Sequence, residues 1–388
     1  MPLIITLAIQ SLAAMAAVTV PVFAPVAAAD IGVSLASLGI FMAVFYLGGM
    51  ASSLASGDFV LRYGPIRVSQ FCLIACGAGL AATASGSIPL MVPSAMLIGF
   101  GYGAVTPASS HILAKTAPPH LMSLTFSIKQ TGVPAGGAMA GALVPTLVLF
   151  IGWRGAALIV GGVCLLLALV SELSRADLDA DRESGRPMSL RWMVEPLNMV
   201  LSVPSLREQA LASFFFASLQ VCLSTYFVSF LAVGLKMPLV HAGLALTVAL
   251  GAGVLGRIVW GGIADRLVAP RTMLGILGVV MSASAAATYV ISLSWPYAAI
   301  LGVATLFGAT AAGWNGVYLA EVARLAPLGK AGTATGGTLF FTYFGGVISP
   351  PLFGAVAGTD HRYGLSYLLF SIPIFVFGLT LFRGQRSR

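Results

Sequence analysis

The stretch Ala252–Arg271, AGVLGRIVWGGIADRLVAPR, begins as an apolar helix, carries one arginine, Arg257, inside that apolar run, and closes on Asp265 and Arg266. At about 1.5 Å per residue, Arg257 lies roughly 12 Å along the helix from Asp265. With Asp265 and Arg266 at the water boundary, Arg257 sits well inside hydrocarbon. A cation at that depth is costly, so it faces a partner or a water-filled cavity and marks a functional site.

The surrounding composition supports that reading. The chain has 388 residues, 58% hydrophobic and only 8% charged, with a mean hydropathy of +0.98; soluble proteins carry about 25% charged residues. Such a chain cannot cover a water-facing surface with polar groups, but a bilayer does not require it to. The net charge of +8 does not indicate a nucleic-acid partner, because the basic residues sit in short loops, as orientation signals do. The four cysteines, Cys72, Cys76, Cys164 and Cys222, fall in apolar runs without metal-ligand spacing and read as small core residues. The first apolar run begins at Pro2 without a basic region before it and is long enough to span, so no cleavable signal peptide is expected.

Apolar runs of about 20 residues mark spans. Twelve are read, at 3–26, 36–57, 68–87, 89–113, 122–149, 156–174, 208–232, 241–263, 272–292, 295–320, 331–357 and 365–383. The expected fold is an all-α membrane protein of twelve transmembrane helices in two pseudo-symmetric six-helix bundles, 1–174 and 208–388. A polar linker, 175–207, joins them. Of the 20 basic residues, all but five lie in one set of loops with the linker and the termini. Arg154, Lys236 and Arg362 lie in the opposite loops, and Lys129 and Arg257 fall within spans. That asymmetry puts the linker and both termini in the cytoplasm of a bacterial-type inner (plasma) membrane. The halves also echo each other: Ala117-Pro118 aligns with Ala326-Pro327, Lys115 with Arg324, Gly136-Gly137 with Gly345-Gly346, and Gly57 and Arg62 with Gly261 and Arg266.

Two loops give the pattern a family likeness. After span 2 the chain reads Gly57-Asp58-Phe59-Val60-Leu61-Arg62-Tyr63-Gly64-Pro65-Ile66-Arg67, and after span 8 Gly261-Gly262-Ile263-Ala264-Asp265-Arg266. These resemble the Gly-x-Leu-x-Asp-Arg-x-Gly-x-Arg loops of the major facilitator superfamily. The first copy has Leu61 where the family has its aspartate, with an acid instead at Asp58; the second lacks the glycine after Arg266. The resemblance implies a functional monomer whose two bundles rock about a central cavity lined by spans 1, 4, 7, 10, 2, 5, 8 and 11. It also implies cytoplasmic latches at Asp58, Arg62, Arg67, Asp265 and Arg266. Glu321 and Arg324, three apart on one helix, are expected to pair beside the second latch.

Lys129 lies about eight residues into span 5, roughly 11 Å from its cytoplasmic end and at nearly the depth of Arg257 in the other half. In the implied architecture the two spans face each other. Glu172 and Glu321 sit near cytoplasmic ends and Asp30 in the first external loop, so no acid lies deep in any span. The simplest compensating anion is then the substrate. An arginine fork binds a carboxylate with two parallel hydrogen bonds, and lysine acts as a point charge. The bland alternative is that Arg257 snorkels or binds free backbone carbonyls near the glycines. Gln10, Tyr102, Gln220, Trp314 and Asn315 are polar or aromatic at mid-depth and join Arg257 and Lys129 as candidate substrate contacts.

An arginine on span 8 and the run Gly99-Phe100-Gly101-Tyr102-Gly103 also resemble the monocarboxylate and oxalate/formate branches. The Gly132-Val-Pro-Ala-Gly-Gly137 run resembles the glycine–proline motif of drug/proton antiporters with its proline displaced, and reads equally as a packing and hinge segment. The sequence therefore favours a secondary transporter for a small organic anion, a carboxylate, by proton coupling or exchange with a counter-anion. The alternative is efflux of amphipathic compounds. No catalytic triad, metal-ligand cluster or phosphate loop is read, so neither an enzyme nor a resident cofactor is expected.

Overall fold

The computed structural model describes residues 2–116, 122–180, 182–183, 194–292, 294–327, 331–358 and 360–383. Ala117, Pro118 and Lys330 lie outside these residues, as do the side chains of Asp58 and Asp265. The described chain is helical and forms two compact units, residues 1–34 with 41–190, and 35–40 with 191–388. The first comprises α1 (Pro2–Ile31), α2 (Ser37–Tyr63, beyond its first turn), α3 (Pro65–Ala84), α4 (Ile88–Thr116), α5 (Met122–Gln130), α6 (Gly132–Ser171) and the short α7 (Arg175–Leu178). The second comprises α8 (Val194–Ser202), α9 (Pro204–Ser229), α10 (Leu239–Arg266), α11 (Pro270–Ala287), α12 (Tyr297–Ala311), α13 (Asn315–Leu325), α14 (Ala331–Ala357) and α15 (Tyr363–Arg383).

Eleven helical segments are long and apolar enough to cross a membrane. The sequence suggests twelve spans, and the difference has a local cause: spans 5 and 6 run together as one helical segment, Ile128–Leu178. At 40 residues, α6 would be about 60 Å long if straight, twice a hydrocarbon core. It is divided at Gly152, whose φ of 72° and ψ of 169° belong to a region open essentially to glycine alone. Just beyond the break Arg154 pairs with Asp30 at the end of α1 and stacks over Trp153, 4.3 Å from the ring centre; the Trp153 indole N–H donates to the same carboxylate at 3.1 Å.

Close helix contacts in both units are made by glycines, since lipid offers no hydrophobic force to hold helices together. In the first unit α1 packs on α6. A Cβ on Gly136 would overlap the Ser11 carbonyl, and one on Gly132 would come within 2.9 Å of Gln10. The glycine–proline run thus acts as a packing surface, and the helix breaks at Thr131 between α5 and α6. Gly99 and Gly103 likewise abut the α2 backbone at Phe45 and Gly49, and Gly101 abuts α3 at Cys72. Packing accounts for the three glycines of the Gly99–Gly103 run. In the second unit Gly308 abuts the Ala249 backbone, joining α10 to α12. All four cysteines are buried and free.

The polar segment between the halves is more than a tether. Residues 175–183 fold against the first unit, where the Asp179 carboxylate, 3% exposed, accepts backbone N–H groups of Ile66 at 2.7 Å and Arg67 at 3.0 Å. These are orphan donors at the start of α3, so a side chain more than a hundred residues later caps the helix. Gly64, at φ 92°, leaves no room for a Cβ against that carboxylate. The Glu183 N–H donates to Leu61 O at 2.7 Å. Burial raises the Asp179 pKa above the ordinary carboxylate value, and the two backbone donors pull it back. The loop that lacks the family's aspartate at Leu61 is thus held by an aspartate from elsewhere. Similarly, α8 packs on α14, with Val200 buried against Gly337.

Replacing Asp179 with alanine strands the buried Ile66 N–H and the part-buried Arg67 N–H and is expected to cost about 1–2 kcal/mol, read as a lower apparent melting temperature of purified protein. Asp177→Ala, at an exposed neighbour, is expected to leave it unchanged; equal effects would contradict the capping role.

Candidate functional site

Among the described residues, each unit holds a polar cluster built around residues singled out within its spans. In the first, Lys129 on α5 is fully buried (0% exposed). Its Nζ donates to Thr106 O at 3.2 Å and to Ser110 Oγ at 3.4 Å, both on α4. Gln10 on α1 donates to Thr106 Oγ1 at 3.0 Å. Two residues singled out from the sequence, Lys129 and Gln10, therefore converge on Thr106. Sequence reasoning passed over Thr106 and Ser110, although Thr106-Pro107-Ala108-Ser109-Ser110-His111 is an unusually polar run for a span. The Tyr102 ring, one turn before Thr106 on α4, packs 5.4 Å from that of Phe45.

The second cluster forms where the tenth span breaks. Residues 312–314 leave the helix, so α12 ends at Ala311 and α13 starts at Asn315. A broken helix in hydrocarbon frees carbonyls that must find donors. Two side chains of α10 supply them: Arg257 Nε donates to Ala312 O at 2.8 Å, and Trp260 Nε1 to Ala309 O at 2.7 Å. The carbonyl-binding alternative for Arg257 is therefore part of its role. One edge of its guanidinium is fixed to the backbone, which orients the rest of the half-buried group. Across the break, Gln220 of α9 accepts both the Trp314 indole N–H at 2.9 Å and the Asn315 amide at 3.2 Å on its Oε1. Trp314 is fully buried, edge-on to Phe216 and Tyr318. Three residues chosen from the sequence thus form one group.

The residues expected to form latches sit toward helix ends. Arg62 lies 5.4 Å from the Tyr63 ring centre, Arg67 reaches Gln70 at 2.8 Å and Glu172 at 3.4 Å, and Arg266 is exposed. Glu321, 1% exposed, takes both hydrogen bonds of a bidentate Arg324 at 2.8 and 2.6 Å, the local pair their spacing suggests. Among the described residues no group of three His, Cys, Asp or Glu side chains could hold a metal ion.

Two helical bundles with buried cations and a broken span define a polytopic membrane protein built to handle polar groups inside the bilayer. The profile of the Major Facilitator Superfamily matches residues 6–350, and the chain belongs to that family. A probable anion transporter of Oryza sativa subsp. japonica is 31% identical over 160 residues, 39% of this chain and 36% of that protein. The chain thus matches little more than a third of that relative's length. A probable hexose phosphate transport protein of Chlamydia muridarum is 23% identical over 86% of this chain and 79% of its own length. The fold matches the crystal structure of a bacterial homologue of the human lysosomal transporter Spinster, in an inward-facing and occupied conformation. There the TM-score is 0.76 and the identity 17%, over 98% of this chain and 96% of that one. These likenesses carry the superfamily, not the monocarboxylate or oxalate/formate branch.

Gln220→Leu leaves the buried indole N–H of Trp314 without its acceptor. It is expected to destabilise the protein by about 1–3 kcal/mol, seen as a lower melting temperature and a shifted tryptophan emission. Emission and melting unchanged from the parent would contradict the assigned network.

Proposed function

We propose that the protein is a secondary transporter that moves a small organic anion across the membrane by alternating access, with Arg257 contacting the anionic group. The observation that carries this reading is the guanidinium at the break in the tenth span. Its Nε is anchored on Ala312 O, which fixes the plane of the fork and costs the cation little freedom when an anion arrives. The start of α13 lies at the same break. Half-helix N-termini carry unpaired N–H groups and a positive dipole end, which favour anions. Lys129, bound to a carbonyl and a hydroxyl of α4, supplies a second cation for the substrate path. Relatives named for anion and hexose phosphate transport agree with an anionic cargo. A carboxylate is the simplest such group, moved with a proton or in exchange for another anion. The protein acts as a monomer, as its family likeness implies, in the inner membrane with both termini cytoplasmic, as the basic loops suggest.

Efflux of amphipathic cations is the weaker reading, because it calls for an acid within the spans. Acids of the described spans lie near their ends: Asp30 beside Arg154, Glu172 beside Arg67 and Arg175, Glu208 beside Arg271, and Glu321 beside Arg324.

Binding of a ligand to the folded state raises apparent stability by mass action. Melting of purified protein against a panel of carboxylates and amphipathic cations tests the reading without assuming a direction of transport. A carboxylate is expected to stabilise the parent and to lose at least about ten-fold in affinity in Arg257→Ala, since a charge-assisted contact contributes about 1.5–3 kcal/mol. Stabilisation by cations, or a carboxylate response untouched by the substitution, would overturn it.

A further inference from the structure

The group at the broken span has a direction that a list of contacts does not reveal. The Trp314 indole N–H can only donate, so the Gln220 atom 2.9 Å from it is the carbonyl oxygen. Asn315 approaches that same oxygen at 3.2 Å and must therefore present its amide nitrogen. Both flips are fixed by one indole. What remains is Nε2 of Gln220, a donor, and Oδ1 of Asn315, an acceptor. Among the described residues neither atom is hydrogen-bonded to protein, neither is sealed from solvent, and both side chains are half-buried.

We propose that the Gln220–Asn315 pair is a hydroxyl-reading subsite, and that the cargo is a hydroxylated organic anion rather than a plain acid. This rests on the anion reading of Arg257 but adds a separate requirement. A carboxylate has acceptors only. It would satisfy Gln220 Nε2 but set its oxygens against Asn315 Oδ1, so the amide pair is a poor seat for the charged group. A hydroxyl accepts from Gln220 and donates to Asn315 at once. The charge then goes to Arg257, whose anchor Ala312 belongs to the same break, and the hydroxyl goes to the amides. A cargo without a hydroxyl leaves both amide atoms facing it unsatisfied, and polar sites reject such analogues. Because the pair is half-buried rather than dry, the discrimination is expected at about ten-fold, well below that of a sealed pocket.

The test compares acids that differ by one hydroxyl: glycolate with acetate, lactate with propionate, glycerate with lactate, and longer sugar acids with their deoxy forms. Neutral polyols of the same length complete the panel. Affinities are read from ligand-dependent melting of the purified full chain. The parent is expected to bind the hydroxylated member of a pair about ten-fold more tightly. Asn315→Ala should bring that ratio toward one, and Asn315→Ser, which restores a hydroxyl in place of the amide, should recover part of it. A merely structural role would lower all affinities together and leave the ratio intact, which would overturn the subsite. Binding of plain acids with no hydroxyl preference in the parent would overturn it while leaving the anion reading in place. Binding of polyols but no acid would keep the subsite and overturn the anion reading. Binding by no hydroxylated compound would overturn the subsite outright.

Discussion

The structure depends most on how a broken helix is made tolerable in hydrocarbon. Between α12 and α13 the backbone ladder stops, and each freed carbonyl would cost several kcal/mol without a donor. Arg257 and Trp260, three apart and so on one face of α10, supply those donors at Ala312 and Ala309. Gly308 and Gly313 make the arrangement possible, since a Cβ on either would collide with backbone of α10 or α12. The cation thus closes the break, and the break in turn holds the cation at a depth where it would otherwise be expelled toward the headgroups. Structural and functional readings of Arg257 are two uses of one side chain.

The two units solve similar problems with different chemistry. In the first, a lysine is buried against a carbonyl and a hydroxyl of α4; in the second, an arginine is tied to a broken span. Point charge suits the former, where acceptors surround one nitrogen, and the planar fork suits the latter, where one edge binds backbone and sets the orientation of the whole group. At the end of the first unit where α2 meets α3 the charges are locked by segments of the same unit. Asp179 caps α3, and Glu172 binds Gln70 at 2.7 Å while pairing with Arg67 and Arg175. The loop after α2 departs from its family pattern at Leu61, yet it does not lack a carboxylate.

Much of this was legible in the sequence, and the reasons are physical. Apolar runs of spanning length can be counted, so the helices were located well, and the break at Gly152 is what separates spans 5 and 6 within one continuous helical segment. Gln220, Trp314 and Asn315 stood out because an amide or indole in hydrocarbon needs a partner, and they proved to be each other's. The acceptors of Arg257 and Lys129 were hidden, because backbone carbonyls have no side-chain signature and a three-residue break announces itself only through Gly313. Asp179 was lost among the acids of a polar segment, since nothing local shows that a carboxylate will fold back onto a helix over a hundred residues earlier. The glycines of the Gly99–Gly103 run have a plain structural use as a surface for helix contact, which a one-dimensional reading does not reveal.

The central claim is that the cation at the broken span carries an organic anion through the membrane. Its most direct test is uptake of labelled carboxylates into proteoliposomes under an imposed pH gradient or against a preloaded counter-anion, with parent protein and Arg257→Ala side by side. The account predicts saturable accumulation of a carboxylate by the parent and loss of that accumulation in the variant. Accumulation of amphipathic cations instead, or carboxylate uptake that survives the substitution, would contradict it.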